Sequence, residues 1–427
     1  MKTEKETYRD PLLIERYDDL IFELDKNIPI PANGARQKKD GHTFSIDNSG
    51  ELPPLDWYNA RFNVDFKLQQ VGGGNIVAND GIVNSSFSLI KDLDVKINGV
   101  NVYDCSDANQ VTHIKILLEY SEGFVKSQGS NQFFYLDKNR NKQEDKTNAD
   151  YNSGFAVRRA LLANNNTVNT EIPLNRYGFF EGLEDQLLPN SKIEIKIEIE
   201  SDANLSWRTT NDNRVVITKF QLLVPRITFN SKGNELYLTK YTKPRQWNYL
   251  REVVYNSDST QQKIGSYRIS TGVDKPRHVF VYIINDAQID NFEHNKFMFD
   301  TNSLPTNQKL ENCYLEVGHG KKYPETEYSL QSEPTRIFRD VLSYVHAVNE
   351  YDHGTLLTRQ NHAALFPFIY FDLTKQPSDI RNGLTKLVFK YQLSGATTAP
   401  HKIYALILNQ QDIETKMMSN KLTLSSL

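Results

Sequence analysis

Four groups of residues in this chain could carry chemistry. Val71-Gly72-Gly73-Gly74-Asn75 is glycine-rich and follows a strand-like run, where a phosphate cradle would sit. No helical pattern follows it, and no Lys-Ser/Thr pair or G-x-G-x-x-G spacing completes it, so it reads as a flexible hairpin. His346, His353 and His362, with Asp352, offer donors suited to a divalent metal, yet no H-E-x-x-H or C-x-x-C spacing organises them. Glu181, Glu184 and Asp185 share one turn beside Leu187-Leu188-Pro189. Paired carboxylates are what glycoside hydrolysis requires, but solvated turn charge is the simpler reading. Cys105 and Cys313 lack the neighbours that activate a thiolate, and no G-x-S-x-G elbow exists. The expectation is a chain that is not an enzyme, with no catalytic residue, no metal and no cofactor.

Composition narrows the remaining classes. The chain has 427 residues, enough for two domains or at most three, each able to bury a core. Aromatic residues are 11%, with 22 Tyr and 22 Phe, which favours pleated surfaces over helices. Lys+Arg total 50 against Asp+Glu 53, a net charge of -3. A protein that neutralises many phosphates carries a basic excess or stripe. Here the basic clusters, Arg36 with Lys38 and Lys39, and Arg158-Arg159, are short, so no specific nucleic acid is expected. Two cysteines in different halves suit a reducing compartment. The start, MKTEKETYRD, has no apolar signal core, and no run of ~18 apolar residues exists to span a membrane. The sequons at Asn84, Asn165 and Asn204 then read as chance matches in an Asn-rich chain.

The elements follow from periodicity. In residues 11–27, Leu12, Leu13, Tyr17, Leu20, Ile21 and Leu24 recur at helical spacing, with Pro11 suited to a first turn. The spacing predicts an amphipathic helix, followed by a Pro/Gly-containing linker from Ile28 to Gly41. From residue 42 the period is two. Phe62, Val64, Phe66 and Leu68 alternate with polar residues, as do Leu93, Val95 and Ile97 before an Asn98-Gly99 turn. Ile193, Ile195, Ile197 and Ile199 alternate with Lys and Glu in the clearest strand of all. Further strands are expected at 215–229, 236–241, 266–271, 278–284, 367–373, 386–393 and 402–408. Helices are expected only at 109–120 and 335–348 within this region. The stretches 137–169, 298–335 and 350–365 read as long contact-making loops.

Each half thus offers strands, one helix, a polar connection holding a proline, then closing strands, which is a weak internal repeat. The boundary falls in the polar cluster 230–234. The predicted fold is all-β: two tandem jelly-roll β-sandwiches with a few short helices and the N-terminal amphipathic helix. The predicted divisions are an arm at 1–41, a first jelly roll at 42–230 and a second at 231–427.

Three stretches carry a family resemblance: 62–70 running to 88–105, 113–124 followed by 131–138, and IPLNRYGFFEGLEDQLLPNSKIEIKIEIE at 172–200. With FIYFDLTKQPSDIRNGLTKLVFKYQL at 368–393, they resemble the double jelly-roll major capsid proteins of adintoviruses and Polinton-like double-stranded DNA viruses. The resemblance covers most of the chain after residue 42. It implies a homotrimer with a pseudo-hexagonal outline, capsomer-to-capsomer contacts in an icosahedral shell, and a penton or minor capsid protein as a further partner. It implies a location in the virion, with assembly inside the host cell. On that template the segment holding Leu13, Tyr17, Leu20, Ile21 and Leu24 would clamp the base. The aromatic runs Phe133-Phe134-Tyr135 and Phe179-Phe180 would supply intersubunit area, although aromatics equally fill cores. The competing readings are a tandem jelly-roll glycan-active enzyme and a carbohydrate-binding β-sandwich.

Overall fold

The computed structural model describes residues 9–25, 41–48, 53–77, 80–188, 191–207, 213–241, 245–299, 310–348, 354–394, 399–418 and 421–426. Sixteen strands form two sandwiches of the same design. The first holds β1 (Ile14–Glu23), β2 (His42–Asp47), β3 (Arg61–Gln70), β4 (Ile90–Ile97), β5 (Val100–Cys105), β6 (Val168–Pro173), β7 (Lys192–Ile199) and β8 (Asn213–Phe229). The second holds β9 (Arg245–Asn256), β10 (Ile264–Asp274), β11 (Pro276–Asn285), β12 (Leu310–Val317), β13 (Lys321–Tyr328), β14 (Ile369–Asp372), β15 (Leu384–Leu393) and β16 (His401–Met418). The first sandwich has sheets ordered β1-β8-β3-β6 and β2-β7-β4-β5. The second has β9-β16-β11-β14 and β10-β15-β12-β13, the same order with eight added to every number. This is a double jelly roll. All of these pairings are antiparallel. Gly81–Ile82 with Ser206–Trp207 makes a two-stranded ribbon, and Lys421–Ser426 pairs with β16.

Alternation sets the faces. Phe62, Val64, Phe66 and Leu68 of β3 point inward with Ile193, Ile195, Ile197 and Ile199 of β7, all fully or almost fully buried. Each large side chain so buried contributes about 1.5–3 kcal/mol against leaving it in water. The Lys and Glu residues between the isoleucines face solvent, as their spacing predicts. The β4–β5 hairpin turns at Asn98-Gly99, both at positive φ (50° and 81°), the left-handed pair that a two-residue turn requires.

Helix α1 (Ala108–Glu119) lies between β5 and β6, and helix α3 (Pro334–Val348) lies between β13 and β14. They occupy the same place in each repeat, as the sequence periodicity anticipates. One-turn helices α2 (Gly178–Glu181) and α4 (Ser378–Arg381) likewise precede β7 and β15.

The structure corrects several expectations. Residues 14–23 are strand β1, not a helix, and belong to the first sandwich rather than to a detached arm. The segment satisfies both periods, because Leu20, Phe22 and Leu24 also alternate with Asp19, Ile21 and Glu23. An isolated helix of this length is marginal in water. Pairing with β8 supplies a full ladder, and tertiary context decides. Of the expected linker, residues 28–40 lie outside the described residues. The expected strand 236–241 is instead part of the helix Ser231–Tyr241. There Asn230 acts as N-cap, its Oδ1 accepting from the Gly233 N–H at 2.9 Å. The expected loop 298–335 contains β12 and β13, and 137–169 contains the helix Ser153–Leu162.

Candidate assembly surfaces and the junction between the sandwiches

The two sandwiches meet along the outer face of β9-β16-β11-β14. In β11, Val279, Val281 and Ile283 fill the second sandwich, while Phe280, Tyr282 and Ile284 point the other way into a core shared with the first. The strand therefore has no wet face, which its unbroken run VFVYII reflects. Helix α1 covers this face, and every residue from Ala108 to Leu118 is buried. Helix α2 also packs here. Phe179 lies 5.7 Å from Trp247 and 5.6 Å from Tyr249, ring centre to ring centre. Gly178 has to be glycine, because a Cβ would stand 1.7 Å from the Leu250 carbonyl oxygen of β9.

Buried charge stitches the junction. Glu252 on β9 is fully buried. Its Oε1 accepts from Lys115 of α1 at 3.0 Å, and its Oε2 accepts from the Tyr103 hydroxyl at 2.9 Å and the Gly178 N–H at 3.0 Å. Lys115 also donates to Glu181 at 2.7 Å. Burial alone would push the Lys115 ammonium toward neutrality, but the Glu181 and Glu252 carboxylates outweigh it and hold its pKa above the usual range. Beside it, Arg176 donates to Glu119 at 3.0 Å. A second buried pair joins Lys296 of the second sandwich to Glu200 of the first. Glu200 also accepts from Asn109 at 2.9 Å and Asn204 at 3.0 Å. Desolvation opposes its charge, yet Lys296 and these donors hold the Glu200 carboxyl down at about 2. His113 of α1 lies 3.0 Å, through Nε2, from the Phe297 carbonyl oxygen, so Nε2 carries the proton.

Of the chemical candidates, Glu181, Cys105, Cys313 and His362 are taken up in pairing or packing, while Glu184 and Asp185 are exposed in their turn. Glu181 is half of an ion pair, not a free turn carboxylate. Cys105 and Cys313 are buried, and burial raises both thiols well above their ordinary range, which keeps them protonated. His362 is buried with Nε2 on the Phe368 carbonyl at 2.9 Å, and His346 is exposed, while Asp352 and His353 lie outside the described residues. Among the described residues no cluster of three or more His, Cys, Asp or Glu could hold a metal. Gly73 closes a turn, its N–H donating to the Gln70 carbonyl.

The expected contact residues divide sharply. Phe133, Phe134, Phe179 and Phe180 are buried in this chain's own core, so none of them offers intersubunit area. Phe133 meets Phe66 edge-on at 5.4 Å, and the Phe179-Phe180 pair joins the two sandwiches to each other. Tyr135 is partly buried against the same core. Leu13 and Leu24 are buried, and Leu20 packs partly on the first core. Tyr17 and Ile21 are exposed, at 45% and 60%. They sit on the outer face of β1-β8-β3-β6, where a groove of about 610 Å³ is lined by Tyr17, Asp19, Tyr58, Arg61 and Glu171, among others. Arg61 bridges Asp19 at 2.5 Å and Glu171 at 3.3 Å across this face. Tyr17 and Arg9 both donate to buried Asp56, which pins β1 to the sandwich.

Sequence reasoning missed Lys115, Glu252, Glu200 and Lys296. The available signal was HIKILLEY, where Ile114, Ile116, Leu117 and Leu118 spread around the helix beside Lys115 and Glu119, which implies cover on more than one face and buried counter-charges. Nothing local marks Glu252 or Lys296.

No protein-family model matches the chain, and no curated protein matches it. Solved structures do. The 3.5 Å cryo-EM structure of the Sputnik virophage has a TM-score of 0.60 at 10% identity, covering 100% of this chain and 91% of that one. The Faustovirus major capsid protein has a TM-score of 0.59 at 9% identity, covering 94% and 91%. The mavirus major capsid protein has a TM-score of 0.55 at 10% identity, covering 96% and 90%. At such identities the likeness is one of fold.

Proposed function

We propose that this chain is a virus shell subunit: a major capsid protein that trimerises into pseudo-hexameric capsomers and tiles an icosahedral shell. One observation carries the reading. An eight-strand sandwich is repeated with the same strand order and the two copies are fused through a dry, charge-stitched junction, over a length that matches viral major capsid proteins nearly end to end. Such a chain presents two quasi-equivalent building blocks, and three copies give six. The work is done by interfaces, which agrees with Glu181, His362, Cys105 and Cys313 being occupied in an ion pair or in packing. The blocks correspond to 42–230, extended by β1, and 231–427. The adintovirus or Polinton-like grouping rests on the sequence stretches at 62–105, 113–138, 172–200 and 368–393. A penton or minor capsid protein is the expected further partner, and the virion is the expected location, after assembly inside the host cell.

Light scattering after gel filtration, with negative-stain imaging of the same peak, tests this. Three 49.2 kDa chains, about 148 kDa, with a hexagonal outline are expected. A monomer that never associates on concentration or change of salt would overturn the reading.

A further inference from the structure

A pocket of about 150 Å³ lies in the junction, beside the first turn of α1, and residues of both sandwiches line it. Two lysines and four carboxylates are among them. Lys296 is paired with Glu200, and Lys91 with Glu198 at 3.0 Å. Asp107 and the exposed Asp290 are the two carboxylates in excess. Asp107 directly precedes α1 and could cap it, but its side chain makes no capping bond. Its backbone is left-handed, at φ +52°, which is uncommon for a residue with a Cβ. Among the described residues its carboxylate has no hydrogen-bond or ion-pair partner.

Two further groups are unsatisfied here. Tyr404 of β16 is 6% exposed, its ring stacked on Tyr282 at 5.4 Å. It lines the pocket, and among the described residues its hydroxyl bonds to nothing. Gln110 of α1 is 2% exposed. Its Oε1 accepts from the Tyr282 hydroxyl at 2.5 Å, and its Nε2 is left to the pocket. Polar groups this deeply buried are normally bonded, so the pocket is shaped for an occupant. The remaining wall is apolar, from Ile199, Ile284 and Ile289.

We infer that this pocket binds a short aliphatic diamine, with one ammonium on Asp107 and Tyr404, the other toward Asp290, and the methylenes against the three isoleucines. The charge excess calls for two positive groups, and the apolar wall calls for carbon between them. Size agrees. A cavity of about 150 Å³ can hold benzene, and 1,4-diaminobutane has as many non-hydrogen atoms. A metal ion suits the site less, since among the described residues no cluster of three or more His, Cys, Asp or Glu could hold one. Burial raises the Asp107 carboxyl above its ordinary value despite Lys296, and an ammonium beside it relieves that strain. The ligand would tie the two sandwiches together, and its binding does not depend on whether copies assemble.

Calorimetric titration of the purified full chain with 1,4-diaminobutane tests this, with n-butylamine and sodium chloride at matched ionic strength as controls. Saturable one-to-one binding is expected, at least about tenfold tighter than for n-butylamine, with a melting temperature that rises with diamine concentration. Asp107→Asn, whose side chain tolerates the left-handed backbone, should weaken binding at least about tenfold. Tyr404→Phe removes only the hydroxyl and should weaken it about threefold to tenfold. No saturable heat up to about 10 mM diamine, or heat that sodium chloride reproduces, overturns the inference. So does n-butylamine binding as tightly as the diamine, or Asp107→Asn binding as tightly as the parent chain. If Asp107→Asn fails to fold, Tyr404→Phe decides, and unchanged affinity there overturns the inference.

Discussion

Acidification from pH 7.5 to pH 5 is expected to weaken the fold through His113. Its ring is 3% exposed on α1, edge-on to Phe297, Phe299 and Phe366. Nε2 donates to the Phe297 carbonyl, and Nδ1 has no hydrogen-bond partner, so a second proton would have nothing to bond. Burial, reinforced by the Arg158 charge, pushes the pKa from 6.5 down to about 3. The folded-state value is depressed, so below pH 6.5 the unfolded chain binds a proton that the folded chain refuses. Stability therefore falls with pH by about 1.4 kcal/mol per unit for this one group, about 2 kcal/mol by pH 5. His278 and His362, both pushed down to about 4 by burial, titrate with the same sign and add about 2 kcal/mol each. Asp94 opposes them. It is raised to about 6 by burial and by Asp104 opposite, so it gains a proton on folding in this window. The three histidines together reach about 6 kcal/mol before that offset, against a total domain stability of about 5–15 kcal/mol. Urea unfolding at half-unit steps between pH 7.5 and 4.5 measures the slope. His113→Gln keeps an N–H for the Phe297 carbonyl and is expected to lower the slope by about one proton. A slope that His113→Gln leaves unchanged would refute the assignment of a buried neutral imidazole.

The remaining predictions concern the junction and one helix cap. Lys115→Met and Glu252→Gln should each cost about 3 kcal/mol in urea unfolding, and the double variant should cost at least about 2 kcal/mol less than the two singles combined. Additivity within about 0.5 kcal/mol would show that the pair is not coupled. The Glu200 pKa is depressed from 4.5 to about 2, so its contribution of about 3 kcal/mol is present above pH 4.5 and lost as pH falls through 2. Glu200→Gln should lose most of that at pH 7 and flatten the acid limb, and an unaltered pH 7 stability would contradict this. Gly178→Ala must displace β9, because its Cβ would meet the Leu250 carbonyl. A loss of about 1–3 kcal/mol is expected, and an unshifted unfolding midpoint would count against the close approach. Asn230→Ala removes an N-cap and should cost about 1 kcal/mol, read from the same midpoint.

The strands were legible where alternation was clean. Ile193 to Ile199 and Phe62 to Leu68 face inward as their spacing requires, because a half-buried strand has only one way to satisfy period two. The two junction helices were legible too, since their 3.6-residue periodicity is long and unbroken. Residues 14–23 were not, because the segment fits both periods and its partner β8 lies some two hundred residues away in sequence. The expected contact aromatics show a different limit. Phe179-Phe180 has the composition of an interface and is one, but between the two sandwiches of a single chain. Composition reveals that rings want cover and says nothing about whose surface supplies it. The ionic junction was hidden for a similar reason. Lys115, Glu181 and Glu252 span both halves, and only folding makes them neighbours.

The pairing of β1 with β8 sets a timetable for synthesis. Glu23 leaves the ribosome about 190 residues before Asn213, which at ~5–20 residues per second is a wait of roughly 10–40 s. Throughout that interval the first-made strand of the first sandwich has no ladder partner, and β9–β16 do not yet exist to shield anything. The strand tolerates the wait because Glu15, Arg16, Asp18, Asp19 and Glu23 stud its short apolar stretch, the charge pattern that discourages strand-to-strand aggregation. On a polysome, where many nascent copies are held close together, those five charges guard against premature strand exchange between neighbouring chains.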